Sequence, residues 1–132
     1  MSYFLDTNIC IYALKGTYPD ISAKMRRMGP DRIKIPAIVK AELLYGAEKS
    51  RDPAPTRSIV EQFLFPFEIV SFDDSSSAVY ATLRSDLEKR GDPIGPNDLI
   101  IASTVISNNG TLVTHNQKEF AKIKKLSIED WT

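Results

Sequence analysis

Short apolar runs alternate with longer helical patterns along this chain, and no other feature restricts the fold as much. The runs are 3–6 (YFLD), 33–36 (IKIP), 68–71 (EIVS), 111–114 (TLVT) and, more weakly, 126–128 (LSI). Between them lie helical patterns over 9–15, 19–28, 37–50, 55–65, 73–90 and 98–108. Gly29-Pro30-Asp31, Asp52-Pro53-Ala54-Pro55, Gly91-Asp92-Pro93 and Asn109-Gly110 punctuate the segments, because Gly and Pro begin or end regular structure. Strands separated by helices are joined by crossovers, which builds βα units and a mostly parallel sheet with helices on both faces. The expected class is α/β, a three-layer α/β/α sandwich.

The bulk properties narrow what such a fold does. A chain of 132 residues suits a single domain over 1–132. It buries roughly two-thirds of its unfolded surface and needs no staple. The lone cysteine, Cys10, lies among apolar neighbours and is expected in the core; it suits a reducing compartment. No stretch approaches the ~20 apolar residues of a membrane span, and no signal peptide is evident, so a cytoplasmic protein without membrane contact is expected. Seventeen basic residues balance 17 acidic ones, so overall charge does not nominate a nucleic acid. Local basic groups occur at Lys24, Arg26 and Arg27, at Arg32 and Lys34, and at Lys122, Lys124 and Lys125.

Ligands of a parallel α/β sheet bind at the carboxyl ends of its strands, and acids gather there. Asp6 ends the first apolar run in "SYFLDTN". It reads either as a helix cap, with Asn8 as the competing candidate, or as one member of an acid cluster. Glu42 has Ile38, Val39, Tyr45 and Gly46 as helical neighbours. It is therefore expected on an inward face, where a carboxylate needs a cation or backbone N–H. Glu48 has mixed neighbours and belongs to a rim. Asp98 opens the apolar, buried helix of "GPNDLIIA"; its alternative reading is helix-start chemistry, with Asn97 as the cap. Asn116 and Glu119 follow the fourth run, where either completes an oxygen set; alternatively Asn116 caps a short helix and Glu119 faces solvent. Oxygen donors without His or Cys suit Mg²⁺ or Mn²⁺, not zinc, and such ions serve phosphodiester cleavage.

Competing chemistries lack their parts. His115 is the sole histidine, which excludes a histidine-pair ribonuclease and leaves it as a loop or substrate-facing side chain. No G-x-S-x-G elbow or nucleotide-binding glycine motif occurs. A haloacid-dehalogenase phosphatase needs an acid where Asn8 stands, and a receiver-like domain needs one at the end of "EIVS".

Four segments, "FLDTN", "AELLYGA", "GPNDLIIA" and "LVTHNQKEF", together resemble PIN-domain ribonucleases, specifically VapC-type toxins of prokaryotic toxin–antitoxin pairs. The resemblance spans the chain. It implies an α/β/α fold and a Mg²⁺- or Mn²⁺-dependent endoribonuclease, with structured RNA such as transfer RNA as a substrate. A VapB-type antitoxin would restrain it, with a toxin homodimer inside the complex. Asp6, Glu42 and Asp98 are the implied metal-site residues, and Thr7 supports the first acid through its hydroxyl. Many members carry Asp where this chain has Asn116, so Glu119 is the candidate for the missing charge. The alternative is a catalytically silent protein of the same fold that acts through partner binding.

Overall fold

The computed structural model describes residues 1–132. Five strands, β1 (Tyr3–Leu5), β2 (Ile33–Pro36), β3 (Glu68–Val70), β4 (Thr111–Val113) and β5 (Ser127–Glu129), form one sheet in the order β3-β2-β1-β4-β5. Every pairing is parallel; Tyr3 opposes Ile33 on one side and Thr111 on the other. All residues of β1 and β4 are buried, as expected of central strands covered on both faces.

Helices α1 (Thr7–Lys15), α2 (Pro19–Met28), α3 (Ala37–Glu48), α4 (Pro53–Leu64), α5 (Asp74–Lys89), α6 (Pro96–Ser107) and the short α7 (Gln117–Phe120) complete the layers. α1 touches α2 and α3, α3 touches α4, and α5 packs along α6. Phe4, Leu5, Ile35, Val39, Ile101 and Leu112 belong to a continuous apolar core between these layers.

Strand order decides where a site can form. The chain steps outward from β1 to β2 to β3, then crosses through α5 and α6 to lay β4 on the opposite side of β1. The direction of winding therefore reverses between β1 and β4. Connections leaving the carboxyl ends of those two strands diverge and open a crevice.

Element limits depart from the sequence expectation at caps. α1 begins at Thr7 because Asp6 is its cap, accepting from the Ile9 N–H at 2.9 Å; Asn8 lies inside the helix. α4 and α6 begin earlier than expected, at Pro53 and Pro96, since proline is preorganised for the first helical position. Asn97 is consequently inside α6 and not its cap. α5 is capped by Asp73, which accepts from the Ser76 N–H at 2.9 Å. α3 ends two residues before the expected limit, and β5 is displaced by one. A 3₁₀ turn over Pro30–Arg32 was not legible in advance.

The Asn109-Gly110 stop after α6 divides its labour. Asn109 takes the left-handed conformation at φ 54°. Gly110 is needed for space: a Cβ there would lie 2.3 Å from the Phe4 ring and 3.3 Å from the Ser2 carbonyl. Phe4 is fully buried and has nowhere to retreat. Gly110→Ala should thus lower the unfolding free energy by about 1–3 kcal/mol, the usual range for overpacking. Urea denaturation measures this, and an unchanged midpoint would mean that the core yields around Phe4.

Candidate functional site

Asp6 stands at the end of β1 beside the end of β4, and it is buried. Its N–H donates to the Val113 carbonyl at 3.1 Å. Its carboxylate accepts from the Ile9 N–H at 2.9 Å and from the Thr114 hydroxyl at 2.5 Å. The cap and cluster readings are therefore both true of one side chain. Burial pushes the Asp6 carboxyl up to about 6. The two hydrogen bonds oppose that shift, and the charges of Asp98 and Glu42 add to it.

Glu42 departs from its expected placement. The inward face of α3 is Val39, Leu43 and Ala47, whereas Glu42 is half-buried and Tyr45 is 65% exposed. α3 is apolar almost all round, so periodicity could not identify which stripe packs. No cation meets Glu42. Its Oε1 accepts from the Thr7 hydroxyl at 2.7 Å and its Oε2 from the Asn97 amide at 3.3 Å. Thr7 consequently serves Glu42, not Asp6 as expected; the hydroxyl serving Asp6 is that of Thr114. Glu48 lies on the rim, paired with Arg57.

Asp98 lies in the first turn of α6, half-buried, with its carboxyl raised by burial and then by the charges of Glu119 and Glu42. Glu119 is also half-buried, and its carboxylate meets the Lys122 ammonium at 3.2 Å. Its charge acts on Asp98, and its side chain is only partly open to solvent. Asn116 is exposed and occupies the N-cap position of α7, as its capping alternative expects, without a side-chain capping bond. Its backbone N–H donates to the Thr114 hydroxyl at 2.9 Å. Thr114 and Asn97 are the two residues that sequence reading missed here. Thr114 could have been found as a polar residue closing a buried strand, Asn97 only from the fold.

The donor set fits a hard divalent cation. Asp6, Glu42, Asp98 and Glu119 bring oxygens from separate segments of chain. Lys122 is the one basic side chain paired within this set, and it is shared with Asp92 at 3.3 Å. Uncompensated, mutually repelling carboxylates are what an oxygen-seeking ion neutralises. As they stand, no three acidic, histidine or cysteine side chains close on one point, so a bound ion would require side-chain adjustment along the edge.

A parallel α/β sheet with acids drawn to its switch point fits a PIN domain, and that family's profile matches residues 3–126. Ribonuclease VapC2 of Rickettsia felis is 42% identical over 132 residues, spanning 99% of this chain and 98% of that protein. The tRNA(fMet)-specific endonuclease VapC of Salmonella typhimurium is 34% identical over 131 residues, spanning 99% and 98%. In a crystal structure of VapBC2 from Rickettsia felis bound to a DNA fragment from their promoter, the matching chain superposes with a TM-score of 0.94 at 41% identity, covering 100% of both chains. DNA-bound VapBC from Salmonella typhimurium gives 0.95 at 34% identity, covering 100% and 99%. The chain belongs to the PIN-domain family, in its VapC ribonuclease branch.

The raised Asp6 carboxyl couples stability to pH. Below about pH 4 the group is neutral in both states and costs nothing. As pH rises toward 6, the native state retains a proton that the unfolded chain has released, so stability falls. Above that, ionised Asp6 costs about 3 kcal/mol at most, at ~1.4 kcal/mol per pH unit. Asp6→Asn keeps an oxygen for the Ile9 N–H and removes the titration. In EDTA, its stability relative to the parent should be greatest near neutral pH and decline toward about pH 4. A difference independent of pH would show that Asp6 ionises without penalty.

Proposed function

We propose that this protein is a divalent-metal-dependent endoribonuclease toxin that hydrolyses phosphodiester bonds in RNA and is neutralised by a cognate VapB-type antitoxin. The observation that carries the reading is the gathering of Asp6, Glu42, Asp98 and Glu119 at the switch point with too little positive charge to balance them. Membership in the VapC branch supplies RNA as the substrate and VapB as the partner, from the ribonuclease named in Rickettsia felis and the VapBC complexes. Structured RNA follows from the tRNA(fMet)-specific relative. No helix is long and apolar enough to cross a membrane, and the free Cys10 is buried; both suit a cytoplasmic enzyme.

Asp6, Asp98 and Glu42 would hold Mg²⁺ or Mn²⁺, with Asn116 or Glu119 completing the set. Such an ion, when bound, lowers the pKa of water and stabilises charge developing on the phosphate. The protein's own groups do the rest. Thr114 and the Ile9 N–H fix the orientation of Asp6. Thr7 and Asn97 hold both oxygens of Glu42, which leaves it as an oriented acceptor for the proton of the attacking water. No side-chain nucleophile is needed: a water molecule would attack phosphorus and the 3′-oxygen would leave, carrying the electron pair of the broken P–O bond. The acids also suit a basic antitoxin side chain, which would compete with the ion.

Incubating the purified protein with total RNA and Mg²⁺, then mapping the new ends, tests the activity. Cleavage should vanish in EDTA and return with Mg²⁺ or Mn²⁺; full activity in EDTA would sink the metal mechanism. Asp98→Asn should reduce cleavage by orders of magnitude with the fold intact. Calorimetric Mn²⁺ binding should weaken in the same variant, and unchanged binding would separate Asp98 from the ion.

RNA affinity should come from the basic residues not spent on ion pairs. Lys24 faces Glu129, Lys34 faces Glu68 and Lys122 faces Glu119. Neutralising Lys124 and Lys125, or Arg26 and Arg27, should therefore flatten the salt dependence of RNA binding. Each lost phosphate contact should remove roughly 0.7–0.9 from the slope of log affinity against log salt. An unchanged slope would place the phosphate track elsewhere.

A further inference from the structure

A second cluster of side chains has no part in holding the acids. Tyr12 in α1, Tyr18 in the turn before α2 and His115 after β4 form a triangle of rings. Tyr12 and Tyr18 meet edge-on with centroids 4.9 Å apart. His115 lies 6.3 Å from Tyr12 and 6.1 Å from Tyr18, tilted only 37° from the latter. The tyrosines are half-buried, whereas the His115 side chain is 51% exposed.

His115 is nevertheless not free to swing. Its Nδ1 lies 3.0 Å from an Asp130 carboxylate oxygen and 3.0 Å from the Thr132 hydroxyl oxygen. Asp130 is itself held by the Thr132 N–H at 2.9 Å and by the Gln117 amide at 3.3 Å. A half-exposed aromatic ring is thus hydrogen-bonded at one edge and flanked by two tyrosine rings. Its place in the chain is equally specific. His115 is flanked by Thr114, whose hydroxyl donates to Asp6, and by Asn116, a candidate ligand. Consecutive Cα atoms are about 3.8 Å apart, so the backbone that bears His115 directly adjoins the residue that holds Asp6.

We infer that His115, backed by Tyr18 and Tyr12, is a stacking platform for an unpaired base of the RNA next to the scissile phosphate. Single-stranded RNA is bound through base stacking on aromatic side chains together with charge contacts to its backbone. A ring fixed before binding loses little freedom on stacking, which favours affinity. The platform rests on the ribonuclease reading of the acid site.

The test uses the full chain carrying Asp98→Asn, so that RNA is bound without being cut. The probe is a single-stranded oligoribonucleotide with 2-aminopurine at one position, titrated by fluorescence, alongside the same strand made abasic there. With the probe base scanned along the strand, one position should show quenching by the protein. His115→Ala should abolish that quenching and weaken binding about five- to a hundred-fold, the range for one base–aromatic stack, with the salt slope unchanged. The abasic strand should bind the parent and His115→Ala equally. His115→Phe should restore most of the affinity, which a purely structural histidine or a hydrogen-bonding one would not allow. Phe65→Ala, at an aromatic 89% exposed on α4's end, should change nothing. Unaltered affinity in a folded His115→Ala, failure of His115→Phe to rescue, or an equal loss in Phe65→Ala would each overturn the platform. Cleavage of total RNA by the parent distinguishes the two levels. If the parent cuts RNA and the platform variants bind normally, only the platform falls; if the parent neither binds nor cuts RNA, both fall.

Discussion

The shared carboxylate of Asp6 is the interaction on which the rest of the molecule's chemistry depends. One side chain ends β1, caps α1 through the Ile9 N–H and accepts the Thr114 hydroxyl across the switch point. The Asp6 N–H meanwhile extends the ladder to the Val113 carbonyl. Strand, helix and neighbouring strand are thereby tied at one residue. The same ties orient the carboxylate, so the element that organises the topology also presents a charged group at its edge. A residue chosen only to cap α1 could have been Ser or Asn. Only an acid also adds charge to Asp98 and Glu42.

That charge has a thermodynamic consequence. Asp6 and Asp98 are both raised by burial and by like charges around them, so the folded chain holds ionised groups it would be easier to protonate. Depressed carboxyls elsewhere act in the opposite sense. At Asp130, burial raises the carboxyl, but donation from Thr132, His115 and Gln117 outweighs it and the net shift is downward. Stability is thus removed at the Asp6 and Asp98 carboxyls and contributed at Asp130, just past the end of β5. Strain of this kind collects where a ligand is to be gripped, because the ligand relieves it.

The layers and the positions of most elements were legible because alternation of strand and helix patterns leaves few topologies. Asp6 was legible too, since a short strand closing on an acid places that acid at a sheet edge. Glu42 was readable as an unusual acid but not as to its surroundings. α3 is apolar almost all round, and nothing in its periodicity told Val39 from Ile38 as the inward side. The partners of the acids were illegible for a plainer reason. Thr7 reaching Glu42, Asn97 reaching Glu42 and Thr114 reaching Asp6 span 35, 55 and 108 residues of sequence, and such contacts exist only once strand order is set. Asn97 shows the converse: it looked like a cap by type, yet Gly95 occupies the cap of α6; Asn116 does stand at the cap of α7, but its side chain makes no capping bond.

A protein with 17 charges of each sign and an acidic edge does not attract RNA through its overall field. Several of its cations are already committed, Lys24 to Glu129, Lys34 to Glu68 and Lys122 to Glu119. Phosphate contacts alone would be few and would act on any strand alike. Selection among RNAs must then come from groups that sense bases or shape, and these work best when rigid and close to the reacting phosphate. The edge supplies such rigidity. Thr114 anchors Asp6 on one side of the peptide that bears His115, while Asp130 and Thr132 anchor the imidazole itself. Hydrolysis and recognition are then fixed to the same two strand ends. A displacement at β4 that misplaced Asp6 would misplace the ring with it, so neither function can drift independently of the other.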